Sequence, residues 1–344
     1  MKRRQLGKAL AAAGATLAAS RAIAGPATSG LRSNFAFKKE EKPVILEVAI
    51  NGATNKKVNP TAPETPAEIA KQAIECLDAG ATIVHAHTNK PMEDAGAAAQ
   101  VYIDAFEPVR EKHPHAILYP TANFDPSVYH QNRKSWQPEI QSGHYRKLAE
   151  SGAANMVLFD TGVVPISVYD KNGLPGPADK FWWYGFWPGD NKIVLDVCND
   201  LGTGASISVF EPGWMKNVVA MARAGTLPRG AKVIMYFADY DWAGMAPPIP
   251  EALQLYLHMI EGLDLKWSVG MVGGDIMDTP LARMALERGG NFRVGLEDWW
   301  RGPSNLEQLK RAKELINKVG RPIVNGAEAI KYLDIPFAAT RPKT

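Results

Sequence analysis

From Pro43 onward, short runs of β-branched and apolar residues alternate with stretches in which apolar residues recur every three or four positions. The first kind of run is typical of buried strands, and the second is typical of amphipathic helices. The alternation continues to the end of the chain without a low-complexity linker. It predicts eight strands, at residues 44–50, 82–88, 117–123, 156–161, 206–211, 232–238, 267–272 and 292–298.

Helical patterns fill the intervals between these strands, and several of them end in glycine, as helices often do. Eight strand–helix units in one chain favour a parallel (β/α)8 TIM barrel, an α/β fold, over a doubly wound sheet. No glycine-rich dinucleotide or phosphate-binding motif follows the first strand, which removes the main argument for the sheet. We therefore predict a single catalytic barrel domain over residues 43–335, with a short tail at 336–344.

One segment, residues 162–189, departs from this rhythm. It holds five glycines, four prolines and seven aromatic residues after the fourth predicted strand. This composition predicts a long aromatic loop at the end of the barrel where active sites lie. An exposed aromatic cluster is typical of either a lid or a subunit contact, and the sequence supports the two interpretations equally.

Composition excludes several classes of protein. With 344 residues, 46% of them hydrophobic and 22% charged, the chain is long and apolar enough to bury a large core, which excludes a disordered or collagen-like protein. The first 24 residues hold five basic side chains and no acid, so the remainder carries a formal charge of −2 instead of +3. A nearly neutral body offers no footprint for nucleic acid. Cys76 and Cys198 are interpreted as buried free thiols, with one disulfide as the alternative.

The first residues have the features of an export signal. A basic start precedes an alanine-rich apolar stretch and a small-residue cleavage motif that ends at Ala24. The stretch is too short to span a bilayer, and the Arg3-Arg4 pair resembles a twin-arginine signal, which exports folded proteins. We predict a signal peptide at 1–24, a flexible segment at 25–42 and a periplasmic mature protein without membrane association. The alternative is an N-terminal amphipathic helix on a cytoplasmic protein.

Two histidines at the end of the second predicted strand are the sharpest chemical feature. Side chains alternate along a strand, so His85 and His87 share one face and both imidazoles can reach one cation. Glu297, in the last predicted strand, would complete a two-histidine, one-carboxylate set with an open position, as in catalytic zinc sites. The predicted metal is zinc, or another divalent transition metal. The alternative is a pair of hydrogen-bonded structural histidines.

Arg293 and Asp298 flank Glu297 in the motif RVGLED. A guanidinium next to a carboxylate would hold Asp298 ionised and oriented as a catalytic group. The alternative from the residues alone is a salt bridge that closes the barrel between its first and last strands.

These motifs carry a resemblance to a known family. The chain resembles the β-keto acid cleavage enzymes, which include the 3-keto-5-aminohexanoate cleavage enzyme, in VHAH on the second strand, WSVG on the seventh, RVGLED on the eighth and the closing NGAEAIKYL helix. The resemblance runs from about Pro43 to Leu333. It implies a zinc-dependent barrel that converts a β-keto acid and acetyl-CoA into acetoacetate and a new acyl-CoA. It also implies a homo-oligomer, specifically a tetramer.

The resemblance assigns three zinc ligands, two catalytic residues and two substrate-binding residues. The residues that match the zinc ligands are His85, His87 and Glu297. Asp298 matches the general base, which would remove the C2 proton of the substrate, and Arg293 matches the arginine that pairs with this base. Thr121 and Asn123 fall in the turn that the family places against the substrate carboxylate.

Three departures from the family pattern bear on the substrate. The Arg-Asp-Pro that usually follows the second histidine is Asn-Lys-Pro at 89–91, and the glycine-rich turn after the third strand is Ala-Asn-Phe at 122–124. Near the first strand, Asn-Gly-Ala-Thr at 51–54 lacks the acid that holds a substrate amine. The aromatic segment would either narrow the mouth around a larger or more apolar acid or block coenzyme A.

Export and coenzyme A use conflict, since a periplasmic enzyme finds no acetyl-CoA. The leading hypothesis is zinc-dependent cleavage of a carbon–carbon bond in a β-keto acid, with weak or absent acyl-CoA formation if the protein is exported. The first alternative is a periplasmic metal-dependent hydrolase or aldolase-type lyase that does not use coenzyme A. The second is a non-catalytic periplasmic binding protein, in which a base beside an open metal site would have no use.

Overall fold

A computed structural model describes residues 42–52, 54–88, 94–123, 138–176, 181–186 and 188–336. In these ranges the strands are Leu46–Ala49 (β1), Ile83–Ala86 (β2), Ile117–Pro120 (β3), Met156–Asp160 (β4), Val163–Val168 (β5), Phe181–Gly185 (β6), Gly204–Val209 (β7), Ala231–Ala238 (β8), Trp242–Ala243 (β9), Lys266–Val272 (β10) and Asn291–Val294 (β11). The α-helices are Pro66–Asp78 (α1), Ala95–Lys112 (α2), Pro138–Ser151 (α3), Pro188–Leu201 (α4), Pro212–Ala224 (α5), Pro250–Met259 (α6), Pro280–Glu287 (α7), Asn305–Val319 (α8) and Gly326–Leu333 (α9). The predicted signal peptide lies outside the described residues, as do the flexible segment and the tail apart from Lys42 and Pro336.

Eight of the strands form one parallel sheet, in the order β3-β2-β1-β11-β10-β8-β7-β4. In register, Val48 of β1 lies opposite Val84 of β2. Asn155, just before β4, joins the two edge strands: its backbone N–H donates to Leu118 O at 3.3 Å and its side-chain amide donates to Ala116 O at 3.0 Å. The sheet therefore nearly closes into a barrel with helices around it. The predicted (β/α)8 fold is confirmed.

The helices begin and end where the sequence provides capping groups. At the start of α1 the Thr65 hydroxyl accepts from the Glu68 backbone N–H, and the Glu68 carboxylate accepts from the Thr65 N–H. Ser304 and Glu307 repeat this capping box at the start of α8. α5 ends at Gly225, whose φ of 70° is left-handed. None of the described helices has both the length and the apolar character needed to cross a bilayer.

The aromatic segment at 162–189 is more ordered than the predicted loop. β5 and β6 form an antiparallel pair, and β9 adds to β5 opposite Ser167 and Val168. Strands form here because β-branched and aromatic side chains favour them, in spite of the many glycines and prolines. Along β6, Tyr184 faces the barrel mouth, while its neighbour Trp183 is 52% exposed. Residues 177–180 and 187 of the segment lie outside the described part of the chain.

The two cysteines are buried free thiols, which confirms the interpretation from the sequence. Burial raises the pKa of the Cys76 thiol to about 12 and that of Cys198 to about 11. Thiols held in this neutral form are packing residues, because the thiolate is the reactive species.

Candidate active site

β2 brings two histidines to the carboxyl end of the barrel. His85 pairs with Ala49 of β1 and Tyr119 of β3 and is 2% exposed. His87 lies just beyond the strand, and its ring centroid is 5.0 Å from that of His85. Asn51 fixes the backbone of His87, because its amide donates to His87 O at 2.9 Å and its Oδ1 accepts from His87 N at 2.8 Å. Sequence reasoning did not identify this positioning role of Asn51.

Glu297 reaches the histidines from a turn and not from a strand. The predicted eighth strand was too long, since β11 ends at Val294. Gly295 then adopts a φ of 133°, which favours glycine, and its carbonyl oxygen accepts from the Asp298 N–H at 3.1 Å. The N–H of Glu297 donates to Ala49 O at 3.2 Å. This turn, and not the strand alternation, places the Glu297 carboxylate beside the imidazoles.

The ligating atoms of the three residues converge. His85 Nε2 lies 3.1 Å from Glu297 Oε2, and His87 Nε2 lies 3.5 Å from Glu297 Oε1. One such atom from each residue lies within 4.8 Å of the others. His87 Nε2 and Glu297 Oε2 are sealed from solvent and have no hydrogen-bond partner among the described residues. A divalent cation would satisfy both atoms, so these residues fit a metal ion.

Hydrogen bonding and charge prepare these ligands for a cation. His85 Nδ1 lies 3.2 Å from the Tyr119 carbonyl oxygen, and when it donates there Nε2 keeps its lone pair for a metal. Burial lowers the pKa of His85, although Glu297 opposes this effect. Burial raises the pKa of Glu297, but Arg293 and the two histidines outweigh it and hold the pKa well below its usual range. His85 is therefore a neutral ligand, and Glu297 is an anionic one.

Arg293 holds Asp298 beside this ligand set. Arg293 Nε donates to Asp298 Oδ2 at 3.0 Å, and its Nη2 donates to Oδ1, which makes the pair bidentate. Burial raises the pKa of Asp298 to about 7, although Arg293 opposes the rise. The prediction that Arg293 keeps this carboxyl group ionised is therefore wrong, because the cost of burial exceeds the effect of the guanidinium. A carboxyl group whose pKa is near neutral pH is suited to act as a general base. The pair links β11 to its own turn, so this salt bridge does not itself join the first and last strands.

The turn after β3 holds Thr121 and Asn123, the two predicted substrate-binding residues. The Tyr102 hydroxyl accepts from the Thr121 N–H at 3.3 Å and from the Thr88 N–H at 3.1 Å, which ties the ends of β3 and β2 together. Thr121 O lies 2.8 Å from Nε2 of the buried His144. The position of this turn is therefore set by two buried rings from α2 and α3.

A cavity of about 650 Å³ lies over the ligand set. It brings together all seven predicted site residues: His85, His87, Thr121, Asn123, Arg293, Glu297 and Asp298. The rest of its wall is mostly apolar and aromatic, and includes Leu158, Tyr184, Phe210, Tyr236, Trp242 and Trp300. A concave apolar site with a few convergent polar groups is typical of an enzyme pocket.

Comparison with known proteins identifies the family. The model of the β-keto acid cleavage enzymes matches residues 43–335. The chain belongs to the β-keto acid cleavage enzyme family. A 3-oxoadipate:acetyl-CoA acetyltransferase of Cupriavidus necator is 27% identical over 306 residues, which cover 86% of this chain and 96% of that protein. A 3-keto-5-aminohexanoate cleavage enzyme of Fusobacterium nucleatum is 26% identical over 308 residues, which cover 85% of this chain and 98% of the relative.

Solved structures show the same fold. The apo structure of ObcA matches with a TM-score of 0.58 and 16% identity, over 80% of this chain and 65% of ObcA. This family member thus corresponds to about two thirds of the ObcA chain. The family predicted from the sequence motifs is confirmed, and with it the prediction that the protein is an enzyme.

A buried ion pair below the ligand set of this β-keto acid cleavage enzyme was not predicted. Glu47 of β1 and Lys232 of β8 are fully buried and hydrogen-bonded to each other. The Tyr119 hydroxyl also donates to Glu47 Oε1, which lies 3.9 Å from Arg293 Nη1. Burial raises the pKa of Glu47, but Lys232 and Arg293 outweigh it, and the net shift is downward. The sequence does contain a signal for this pair, because each of the apolar runs ILEVAI and AKVIMYF holds one charged residue. A charged side chain buried in a strand is nearly always paired, so each of these residues needs a partner of opposite charge.

Gly52 has no side chain, and the Glu297 side chain occupies the space that a side chain at position 52 would fill. A Cβ at residue 52 would lie 2.5 Å from Glu297 Cγ, and φ at this glycine is 55°. We expect Gly52→Ala to displace the carboxylate and lower metal affinity about 10- to 100-fold, the range typical for residues that hold ligands in place. Competition with a zinc chelator measures the change. Gly225→Ala is the control, since φ there is 70° and no atom lies within 4 Å of the added Cβ; equal affinities in the two variants would contradict the prediction.

Asp160, at the end of β4, is a fully buried acid behind the cavity wall. Burial raises its pKa to about 6, although the hydroxyl groups of Tyr184 and Ser208 oppose the rise. The folded-state pKa lies above the unfolded value of about 3.9. The contribution of the neutral acid to the free energy of unfolding is therefore fully present at low pH and is lost as the pH rises through about 6.

Replacement of Asp160 by its neutral amide is expected to reduce this loss of folding stability at high pH. Relative to wild type, Asp160→Asn should stabilise the protein by about 2 kcal/mol more at pH 8 than at pH 4.5. Denaturant unfolding at the two pH values measures the difference. Asp264→Asn serves as the control, because the Asp264 side chain is 86% exposed and the same replacement there removes no buried acid. A pH-independent effect of Asp160→Asn would show that this acid does not titrate as described.

Proposed function

We propose that this family member is a zinc-dependent enzyme that cleaves a carbon–carbon bond of a β-keto acid with acetyl-CoA as co-substrate, giving acetoacetate and a new acyl-CoA. The observation that carries the proposal is the convergence of His85, His87 and Glu297 beside the Arg293–Asp298 pair in one cavity. Two imidazoles and one carboxylate with an open position suit catalytic zinc. The relatives named for 3-oxoadipate and 3-keto-5-aminohexanoate support the substrate class.

Asp298 is the residue placed to move a proton. Two N–H groups of Arg293 hold its carboxylate next to the metal-binding residues, where it can accept a proton from the substrate and return it. Zinc, when bound, would polarise the keto oxygen of the substrate and so acidify the C2 proton. Arg293 keeps Asp298 oriented and offsets negative charge that develops in the cavity. Thr121 and Asn123, on the turn after β3, are proposed to receive the substrate carboxylate.

The proposed reaction consists of two steps, in each of which one bond forms to a carbonyl carbon and another bond to the same carbon breaks. Asp298 takes a proton from C2 of R–CO–CH2–COO⁻, C2 forms a bond to the acetyl carbon of acetyl-CoA, and coenzyme A leaves as the thiolate. The thiolate then forms a bond to C3, the C2–C3 bond breaks, and C2 takes the proton back from Asp298. The products are acetoacetate and R–CO–S–CoA, and neither water nor a net proton is consumed.

Metal analysis and a product assay test the proposal together. Zinc is measured by elemental analysis of the purified protein, and β-keto acids are then supplied with and without acetyl-CoA. We expect about one zinc per chain and acyl-CoA formation only when both substrates are present. Turnover without acetyl-CoA would favour a hydrolase or lyase, and binding without turnover would favour a binding protein. Full turnover by metal-free protein would contradict the proposal.

The N-terminal segment favours a second candidate, cleavage without coenzyme A. We propose that Arg3 and Arg4 belong to a twin-arginine signal and that the mature protein starts near Gly25 in the periplasm. Acetyl-CoA is large, charged and confined to the cytoplasm. In that compartment the same metal-binding residues would serve hydrolytic or aldolase-type cleavage of the keto acid.

Changing Arg3→Lys together with Arg4→Lys is expected to leave the precursor in the cytoplasm, because the export pathway reads the arginine pair. Cell fractionation and N-terminal sequencing check this. Lys2→Arg, which leaves the pair intact, should be exported and processed normally. Unprocessed wild-type protein in the cytoplasm would favour the cytoplasmic alternative. Acetoacetate production from acetyl-CoA by the purified mature form would favour the family reaction in either compartment.

We also propose that the active form is a homo-oligomer, specifically a tetramer, as the family resemblance implies. The segment around β5, β6 and β9 exposes large apolar side chains, with Tyr169 44%, Leu174 60%, Trp183 52% and Tyr240 69% exposed. Clustered exposed apolar residues are typical of subunit contacts. Sedimentation equilibrium of the metal-loaded protein gives the subunit number directly.

A further inference from the structure

We propose that the substrate taken by this site is a β-keto acid whose chain beyond C3 is uncharged and apolar. This inference rests on the proposed function and names its substrate class. The juxtaposition that supports it is a cavity with the reactive groups on one half of the barrel rim and an interlocked aromatic wall on the other.

The strand order divides the rim into two contiguous halves. β3, β2, β1 and β11, with the turns that follow them, carry the ligand set, Asp298 and the Thr121 turn. The other four strands are β10, β8, β7 and β4. Val272, Tyr236 and Leu158 in these strands, and Phe210 directly after β7, line the cavity. A substrate that meets the first half with its carboxylate and keto group, and whose chain stays inside the cavity, extends that chain toward the second half.

Phe210 is the centre of the apolar half. Its ring stacks on Tyr236, with centroids 4.7 Å apart and planes 10° apart. It meets Tyr184 edge to face at 5.5 Å and Trp214 at 5.2 Å, and it is 7% exposed. Rings held on several sides form a rigid apolar surface, which binds an apolar chain with little loss of side-chain entropy.

The apolar half offers no charged partner among the lining residues that the structure describes. Its polar side-chain groups are the hydroxyls of Ser208, Tyr184 and Tyr236 and the indole N–H of Trp242. Asp160 is not among the residues that line the cavity, and both of its carboxylate oxygens are buried. The Asp, Glu, Arg and Lys side chains in the described lining all come from β11 and the loop after it: Arg293, Glu297, Asp298 and the exposed Arg301.

The added antiparallel sheet covers the apolar half. Ile166 of β5, Tyr184 of β6 and Trp242 of β9 line the cavity, and Trp242 meets Trp300 edge to face at 5.9 Å. Each methylene buried against this wall raises affinity about fourfold. A terminal carboxylate or ammonium group would lose its hydration there, and the described part of this wall offers it no oppositely charged side chain. Contact with the ring faces would offset only part of that loss for an ammonium group. The site therefore selects against the second carboxylate of 3-oxoadipate and the amino group of 3-keto-5-aminohexanoate.

The test compares four keto acids on the metal-loaded wild-type enzyme: 3-oxooctanoate, 3-oxo-5-phenylpentanoate, 3-oxoadipate and 5-amino-3-oxohexanoate. Acyl-CoA formation gives kcat/KM, and calorimetric titration without acetyl-CoA gives Kd. We expect each apolar acid to exceed both charged acids by at least about tenfold in each quantity. Tighter binding or faster turnover of either charged acid, or binding of none of the four, would overturn the inference. Tighter binding of the apolar acids without any turnover would support it while refuting the proposed function.

Variants of Phe210 test the assigned wall. The ratio of kcat/KM for 3-oxooctanoate to that for 3-oxopentanoate should fall about tenfold or more in Phe210→Ala, because the longer chain loses its contact surface, and should recover in part in Phe210→Leu. Leu255→Ala, on the exposed side of α6 and outside the cavity lining, should keep the wild-type ratio. An unchanged ratio in a folded Phe210→Ala variant would overturn the assignment. If that variant does not fold, the ratio in Phe210→Leu decides by the same criterion.

Discussion

Replacing His85 and His87 together by alanine is expected to remove the bound metal ion, which is zinc under the proposed function, and to reduce turnover to background. The two imidazoles supply two of the three ligating atoms that lie within 4.8 Å of one another. Glu297 alone would remain, and a single carboxylate does not hold zinc against solvent. Elemental analysis and the acyl-CoA assay, applied to the same preparation, measure both losses.

The double variant should still fold, because both ligands lie at the rim, above the apolar layers of the barrel. His87 is 22% exposed, and only His85 would leave a small cavity, next to Tyr119. Thermal unfolding checks the fold. His258→Ala on α6, whose imidazole is 46% exposed and away from the cavity, should keep full zinc and turnover. Full zinc retention in the double variant would refute the ligand assignment.

The barrel could be predicted because each of its strands is buried on both faces. Such strands appear in the sequence as continuous β-branched runs, and all eight are found within a few residues of their predicted positions. The largest error at a strand boundary is in the eighth strand, which was predicted to end at 298 and ends at Val294. Gly295 leaves the extended conformation with a φ of 133°, and a hydrophobic pattern does not show that the alternation stops there.

The aromatic segment could not be predicted from its own residues. Glycine and proline content favours a loop, but β5 pairs with β6 on one side and with β9 on the other, and four further elements separate β6 from β9 in the chain. The strand propensity of residues 162–189 alone does not indicate that β9 will pair with β5. Neighbouring side chains of β6 point to its two faces: Tyr184 lines the cavity, while Trp183 is exposed.

Some residues of the site could be placed from the sequence, and others could not. His85 and His87 follow from strand alternation, but the position of Glu297 depends on a turn that the alternation does not describe. The ion pair of Glu47 and Lys232 joins residues 185 positions apart. Its partner could not be chosen from the sequence, because many pairings of inward charges are compatible with the same pattern of strands.

Asp298→Asn is expected to keep the metal and to lower turnover about 100-fold or more. Asp298 lies outside the group of His85, His87 and Glu297, so zinc content should stay at the wild-type value. The amide cannot accept a proton from C2, and its NH2 group faces one of the two Arg293 N–H donors that the carboxylate now satisfies. Proton removal should therefore fail while the substrate still binds.

Exchange of the C2 protons of a bound β-keto acid in D2O isolates that step, because it requires no acetyl-CoA. Nuclear magnetic resonance should show exchange slowed in Asp298→Asn by about the same factor as turnover. Glu297→Gln provides the contrast: it changes a ligand and not the base, so it should lose zinc first and turnover as a consequence. Exchange at the wild-type rate in Asp298→Asn would mean that another group removes the proton, and that Arg293 and Asp298 only hold the wall of the site.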